Sequence, residues 1–201
     1  MNFQFPDILR PLWGQAVWRK NPSEKVIYLT FDDGPVPEVT PLVLDILDKQ
    51  ELKATFFCVG ENVKKFPETY SDVIRRGHKT GNHTFNHLKG FSVCTEEYVE
   101  NVRKAAESID SNLFRPPYGR ITLKQKKILQ ADYEIIMWDL ITHDYNRKLS
   151  PGKILENVKR YSRNGSIVVF HDSIKAQQNM LTVLALAIEF WKSEGYSFGT
   201  L

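Results

Sequence analysis

Short apolar runs alternate with amphipathic stretches along nearly the whole of these 201 residues, and that alternation narrows the choice of fold more than any other feature. The runs, read as strands, fall at residues 26–31 (VIYLTF), 54–59 (ATFFCV), 134–138 (EIIMW) and 166–171 (SIVVFH); 79–82 (KTGN) and 114–116 (FRP) are read as brief strands without that apolar character, third and fourth in chain order, and 196–198 as a short terminal one. Between them the spacing predicts helices over 41–49, 68–76, 95–109, 123–131, 151–163 and 181–193. Thr40 is read as the cap of the first of these and Thr95 as the cap of the third, while Gly77 and Asn164-Gly165 stop two others. Strands that are apolar throughout, with helices between them, belong to an α/β fold whose parallel sheet is covered on both faces. About seven such units suit a barrel better than an open sheet. There is no internal repeat and no Gly/Ser linker, so residues 1–201 read as a single domain.

Composition excludes several classes. With 42% hydrophobic and 25% charged residues the chain is neither disordered nor fibrous. A net charge of +3, from 27 basic and 24 acidic residues, is too balanced for a nucleic-acid partner. Two cysteines, Cys58 and Cys94, make neither a disulfide scaffold nor a Cys-rich zinc module, and Cys58 reads as an inert core thiol. No apolar run reaches the roughly 20 residues that span a bilayer. Residues 1–12 contain Pro6, Asp7 and Arg10 where a secretory leader would be apolar. The sequence as it stands therefore reads as cytoplasmic, or as an envelope or secreted chain whose leader was removed.

Parallel barrels and sheets gather their chemistry beyond the carboxyl ends of the strands. Reactive residues are concentrated at those points here. The first run ends in Asp32-Asp33, the 79–82 run leads into His83 and His87, and the 114–116 run contains Arg115. Trp138-Asp139 and His143-Asp144 follow the fifth run, and His171-Asp172 ends the sixth. Of five histidines, four sit at these ends, and His78 reads as structural. His83 and His87, four apart on a helical turn, share a face and can bind one metal. Asp32 or Asp33 could complete a two-histidine, one-carboxylate set. His171 is a candidate acid or base, since an ordinary imidazole titrates near about 6.5. Arg115, fixed between Phe114 and two prolines, could hold a carboxylate in place through a bidentate pair.

Taken together, residues 30–35 (TFDDGP), 83–87 (HTFNH), 115–119 (RPPYG) and 167–171 (IVVFH) resemble four of the five motifs of the polysaccharide deacetylases, the NodB-homology, family-four carbohydrate esterases. The motifs occur in the family's order and cover about residues 25–172. The resemblance implies a distorted (β/α) barrel and metal-dependent removal of acetyl groups from N-acetylglucosamine units of a peptidoglycan- or chitin-type glycan. It implies Asp33, His83 and His87 as metal ligands, Asp32 as general base, His171 as general acid and Arg115 as the residue orienting Asp32. The Tyr118 backbone N–H would help hold the oxyanion. Zinc is the usual family metal, with cobalt or nickel in some members.

The fourth motif departs from the pattern: Ile141 stands at the first Asp position after Trp138, and Asp144-Tyr145 at the second. Asp144 would orient His171, with Asp139 and Asp172 as rivals. Trp138 and Tyr145 would line the sugar groove, core packing being the other reading of Trp138. Thr84 would bind ligand or cap a turn. The alternative activities are an acetyl-ester hydrolase on xylan or a small-amide hydrolase. The non-enzyme alternative is a silent carbohydrate-binding protein, against which the presence of Asp32, the three ligands and His171 argues.

Overall fold

A computed structural model describes residues 3–201. The first strand, β1 (Val26–Asp32), shows how the sequence sorts its faces. Side chains alternate along a strand. Ile27, Leu29 and Phe31 therefore pack outward against helices in the main apolar cluster. Tyr28, Thr30 and Asp32 point the other way, into the concave side. In β2 (Thr55–Cys58), Phe56 joins the outer cluster while Phe57 enters a small inner one with Leu113, Ile136 and Ile167.

The chain continues through α1 (Thr40–Lys49), α2 (Gly60–Lys65), α3 (Pro67–Arg75), β3 (Lys79–Asn82), α4 (Thr95–Ala106), β4 (Leu113–Phe114) and α5 (Leu123–Leu129). It ends with β5 (Glu134–Ile135), β6 (Leu140–Ile141), α6 (Pro151–Tyr161), β7 (Ile167–His171), α7 (Gln177–Ser193) and β8 (Ser197–Gly199). Seven strands lie parallel in the order β5-β4-β3-β2-β1-β7-β6, and the short β8 pairs with the start of β1.

The sheet is curled. Its two outer strands, β5 and β6, are joined by residues 136–139 alone, a stretch that reaches no more than about 18 Å when extended. The N-terminal segment fills the seam: Val17 bridges Ile136 and Arg19 bridges Ser166. The result is a curled half-barrel with helices around it. Beside the seam, Asp139 is fully buried and accepts hydrogen bonds from Arg10, Arg163 and Ser166. Among the described residues no helix is long and apolar enough to cross a membrane.

Several local expectations change. The 134–138 run is not one strand. Its first two residues pair with β4, whereas Leu140 and Ile141 cross the seam to pair with β7. Thr40 is the first helical residue rather than a cap; its hydroxyl accepts from Val36 N at 2.8 Å and donates to Asp172 Oδ2 at 2.6 Å. Thr95 likewise lies inside α4, with Cys94 at the cap position and no side-chain cap bond. The last helix, α7, begins at Gln177 rather than Leu181.

Candidate active site

Parallel register lines the reactive residues up at one end. Asp32 pairs with Phe57 on one side and His171 on the other; Cys58 pairs with Asn82, and Asn82 with Phe114. His83 and Arg115, one residue beyond Asn82 and Phe114, leave the sheet at the same level. They open into a cleft of about 1120 Å³ that takes in Asp32, Asp33, His83, His87, Tyr118 and His171.

Asp32 and Asp33 are neighbours with opposite parity. Asp32 faces the interior because it ends an alternating strand. Asp33 would face outward, but its φ of 86° turns the backbone so that its carboxylate swings in as well. Gly34 stands behind it because the Asp172 carboxylate packs there: a Cβ on Gly34 would lie 2.0 Å from Asp172 Oδ2. Asp172 accepts from Gly34 N at 3.0 Å and from Thr40. Complete burial and the nearby Asp33 charge push its carboxyl up to about 8.

His83 and His87 do not share a helical turn. The segment between them is a tight loop with φ of 64° at Thr84 and 58° at His87. Thr84 is fully buried, and its hydroxyl accepts from Leu88 N at 2.9 Å, so its polar atom holds this loop. Asn82 braces it from below, accepting from Thr84 N and donating to Val102 O.

His83 Nδ1 lies 2.7 Å from the Arg115 carbonyl, to which it donates. That fixes the tautomer and leaves Nε2 as the lone-pair nitrogen facing Asp33. Burial holds the His83 imidazole neutral, its titration lowered to about 4. Asp33 Oδ1 is 4.0 Å from His83 Nε2 and 3.2 Å from His87 Nε2. One ligand atom from each residue lies within 4.8 Å of the others. Burial would push Asp33 up, but the His87 hydrogen bond and the His171 charge hold it well below the usual carboxylate range. A buried neutral imidazole with a committed Nδ1, a second imidazole and an ionised carboxylate form a donor set that fits one divalent metal.

Arg115 is fully buried. Its guanidinium donates to Asp32 Oδ1 at 2.6 Å, Thr30 Oγ1 at 2.8 Å, Met137 O at 3.0 Å and Ile136 O at 3.3 Å, and it lies 4.0 Å from the Phe57 ring centre. Asp32, only 4% exposed, is therefore held at one oxygen and not by the expected bidentate pair, because Nε and Nη2 bond the Ile136 and Met137 carbonyls and the second Nη1 proton bonds Thr30. Thr30 was not singled out from sequence, although its inward parity with Asp32 on β1 is the signal that places it there.

Of the three acids weighed as partners of His171, the structure puts only Asp144 against it. Asp144 Oδ1 is 2.7 Å from His171 Nδ1, and Oδ2 accepts the His171 backbone N–H at 2.8 Å. Asp139 is committed to the seam, and Asp172 to the turn after β1. Burial opposes charging His171, but the Asp144 charge and hydrogen bond outweigh it and raise the imidazole to about 9.

Tyr118 is 61% exposed with φ of 60°, its ring edge-on to His87 at 4.7 Å. Tyr145 stands edge-on to His171 at 4.8 Å and hydrogen-bonds His143 Nδ1 through its hydroxyl. Trp138 is half-buried and lines the cleft. The sequence reading missed the other wall: Phe5, Trp13 and Trp18 of the N-terminal segment border the same cleft. Phe5 stacks on Trp18 at 4.6 Å, and Trp18 meets Trp138 at 6.4 Å. Only the density of aromatics before β1 hinted at this.

A curled parallel half-barrel with a possible metal cluster, a held carboxylate and a held histidine at its mouth is the architecture of the carbohydrate-deacetylating hydrolases. Residues 19–135 match the family model for polysaccharide deacetylase, and the chain belongs to that family. The match stops before β6, so Asp144 and His171 lie beyond it. A peptidoglycan-N-acetylglucosamine deacetylase of Bacillus cereus is 33% identical over 196 residues, covering 94% of this chain and 92% of its own. The solved Bc1960 peptidoglycan N-acetylglucosamine deacetylase, in complex with 4-naphthalen-1-yl-N-oxidanyl-benzamide, superposes with a TM-score of 0.91 at 31% identity, covering 98% of this chain and 95% of that one. A CE4 family pseudoenzyme from Bacillus anthracis also superposes, with a TM-score of 0.83 at 26% identity over 92% of this chain and 67% of its own. The fold alone therefore does not carry the activity, and the site residues must.

Proposed function

We propose that the chain removes acetyl groups from N-acetylglucosamine units of a peptidoglycan- or chitin-type polysaccharide or oligosaccharide, using a divalent metal, zinc foremost, held by Asp33, His83 and His87. The observation that carries this reading is the Arg115 relay. One residue holds the carboxylate of Asp32 with its guanidinium and orients His83 with its carbonyl. A base and a metal ligand set from one point suit a water attacking an acyl carbon beside the metal.

A bound divalent ion would polarise the acetyl carbonyl and make a water more acidic. Asp32, with one oxygen tied to Arg115, takes the proton of the attacking water at the other. The Tyr118 N–H supports the oxygen that becomes negative. His171, kept protonated by Asp144, donates its Nε2 proton to the departing nitrogen as the C–N bond breaks, since an amine leaves poorly as an anion. The products are acetate and a glucosamine unit. Trp138 and Tyr145 supply flat surfaces for sugar rings. The relatives named for peptidoglycan support the substrate class.

The test is acetate release from chitin oligosaccharides by chelator-stripped protein, with and without added zinc or cobalt. Release restored by metal supports the reading. Bound metal with acetate released only from an acetylated xylan or a small amide would replace it.

A further inference from the structure

Eleven large apolar side chains are exposed among the described residues, and seven of them fall in three stretches of chain: residues 8–12, Phe91 and residues 118–128. Those stretches are tied together. Lys126 Nζ donates to the Trp13 carbonyl, Gln125 Nε2 donates to Gly90 O at 2.8 Å, and Gly90 N donates to Arg120 O at 3.1 Å. Trp13 and Leu129 also rest on one apolar cluster with Tyr98, Val102 and Phe114. The seven side chains therefore share one neighbourhood of the surface, whereas exposed apolar residues are ordinarily scattered singly.

Local geometry turns them outward. Asp7–Trp13 is a 3-10 helix, in which side chains three apart eclipse. Asp7, Arg10 and Trp13 form its inner row: Asp7 meets Arg163, Arg10 meets Asp139, and Trp13 packs on the cluster. Ile8, Leu9 and Leu12 are left outside, Ile8 85% and Leu12 73% exposed. In α5, Gln125, Lys126 and Leu129 are buried beneath, so Leu123, 70% exposed, and Ile128 project outward beside Lys124 and Lys127. Every exposed charge of residues 8–13, 88–92 and 118–128 is positive: Arg120, Lys124 and Lys127, with Lys89 half-buried. Asp7, Glu96 and Asp132 flank these stretches, the first two already paired with Arg163 and Lys124.

We infer that this face docks on the surface of an anionic lipid bilayer, with Ile8, Leu12, Leu123 and Ile128 entering the boundary of the acyl chains and Arg120, Lys124 and Lys127 meeting acidic headgroups. A soluble polyanion would satisfy the cations and leave the aliphatic side chains in water. A bilayer takes both, burying apolar area while its surface potential attracts the basic residues. Phe91 and Tyr118 belong to this face and also line the cleft. Their rings suit the headgroup level, and docking would hold the mouth of the cleft at the membrane surface. The docking does not depend on the reaction read for the cleft.

Co-sedimentation of the full chain with sucrose-loaded vesicles tests this. One set is phosphatidylcholine, and the other is phosphatidylcholine and phosphatidylglycerol in equal parts. At low salt the chain should partition onto the acidic vesicles about tenfold more strongly than onto the neutral ones, and the excess should shrink near about 0.5 M salt. Ile8→Ser with Leu12→Ser should cut partition onto acidic vesicles about tenfold, and Leu123→Ser about threefold. Lys124→Gln with Lys127→Gln should cut it about tenfold. Leu42→Ser and Leu186→Ser, at exposed apolar positions on α1 and α7, should leave it unchanged. Urea midpoints and acetate release from chitin oligosaccharides should match the parent chain in all of these variants. No partition onto acidic vesicles at low salt would overturn the inference, as would a partition untouched by the apolar substitutions, which is what a face for soluble polyanions would give. A concentration-dependent dimer in lipid-free solution that the same substitutions dissociate would also overturn it. Vesicle binding of the expected pattern in a chain that releases no acetate would support the docking and count against the deacetylase reading alone.

Discussion

His171 and Asp144 meet at two points: the carboxylate takes the imidazole Nδ1 with one oxygen, at 2.7 Å, and the backbone N–H of the same histidine with the other, at 2.8 Å. Ring and backbone are fixed together, so Nε2 has a single direction in which to offer a proton. Asp144→Asn should reduce turnover roughly 10²- to 10⁴-fold, the range that a positioned general acid contributes. An unchanged kcat for acetate release from N-acetylated chitin oligosaccharides would contradict the pairing's role.

The same pair sets a pH signature. The His171 imidazole is raised to about 9 in the folded chain against an unfolded value near 6.5. The stabilisation it provides is therefore complete below about 6.5 and disappears as pH rises through about 9. In metal-free protein, the His171 ring resonances should titrate near about 9, and Asp144→Asn should lower them, because burial then meets only the weaker pull of Asp33 and Asp32. Urea unfolding of the same two proteins at pH 6 and pH 9.5 checks the sign: the difference between them should be larger at pH 6.

Asp32→Asn should abolish acetate release while leaving zinc affinity within about threefold, because it removes the base and no ligand. His83→Ala should lose both, its Nε2 being one of the three converging donors. Calorimetric zinc titration of the stripped variants separates the two outcomes. Parallel loss of metal in Asp32→Asn would mean that the two adjacent acids have exchanged roles.

Arg115→Met should destabilise the fold by about 3–5 kcal/mol, since it strands a buried carboxylate. Urea denaturation measures it. Arg115→Lys should recover part of the stability and little of the turnover, because an ammonium cannot bond Asp32, Thr30 and Met137 in one plane.

Gly34→Ala should weaken metal binding at least tenfold although Gly34 touches no metal. The new Cβ would collide with Asp172 Oδ2, and the displacement is passed to Asp33 next door. A normal zinc titration in a folded Gly34→Ala protein would show that the turn has more slack than its contacts indicate.

The strand runs and the placement of acids and histidines at their ends were legible because apolar runs and their terminators are local features. What escaped was set by distant contacts. Nothing in EIIMW reports that Ile135 and Leu140 belong to opposite edges of one sheet, since that depends on how far the sheet curls. Thr40 looked like a cap because its neighbours are those of a helix start, and only the buried Asp172 carboxylate explains why its hydroxyl turns away. The four-residue spacing of His83 and His87 is compatible with a helix or with a loop that visits positive φ twice, and spacing cannot choose. Asp144 was separable from Asp139 and Asp172 only once each had a visible occupation. The aromatic wall of Phe5, Trp13 and Trp18 depends on a segment with no periodicity of its own, held by Lys126, which donates to Trp13 O, and by Arg10, which donates to Asp139.

Arg115 reaches Asp32 with its side chain and His83 with its own carbonyl. The separation between Asp32 and His83 is thus measured out by the length of one arginine, not by two loops that can drift apart. Such a gauge cannot be adjusted at one end only. Natural variation could retune the aromatic walls of the cleft freely, while the reacting centre could change only if Arg115 and both of its dependants changed together. Diversity in what the site accepts would accompany constancy in what it does.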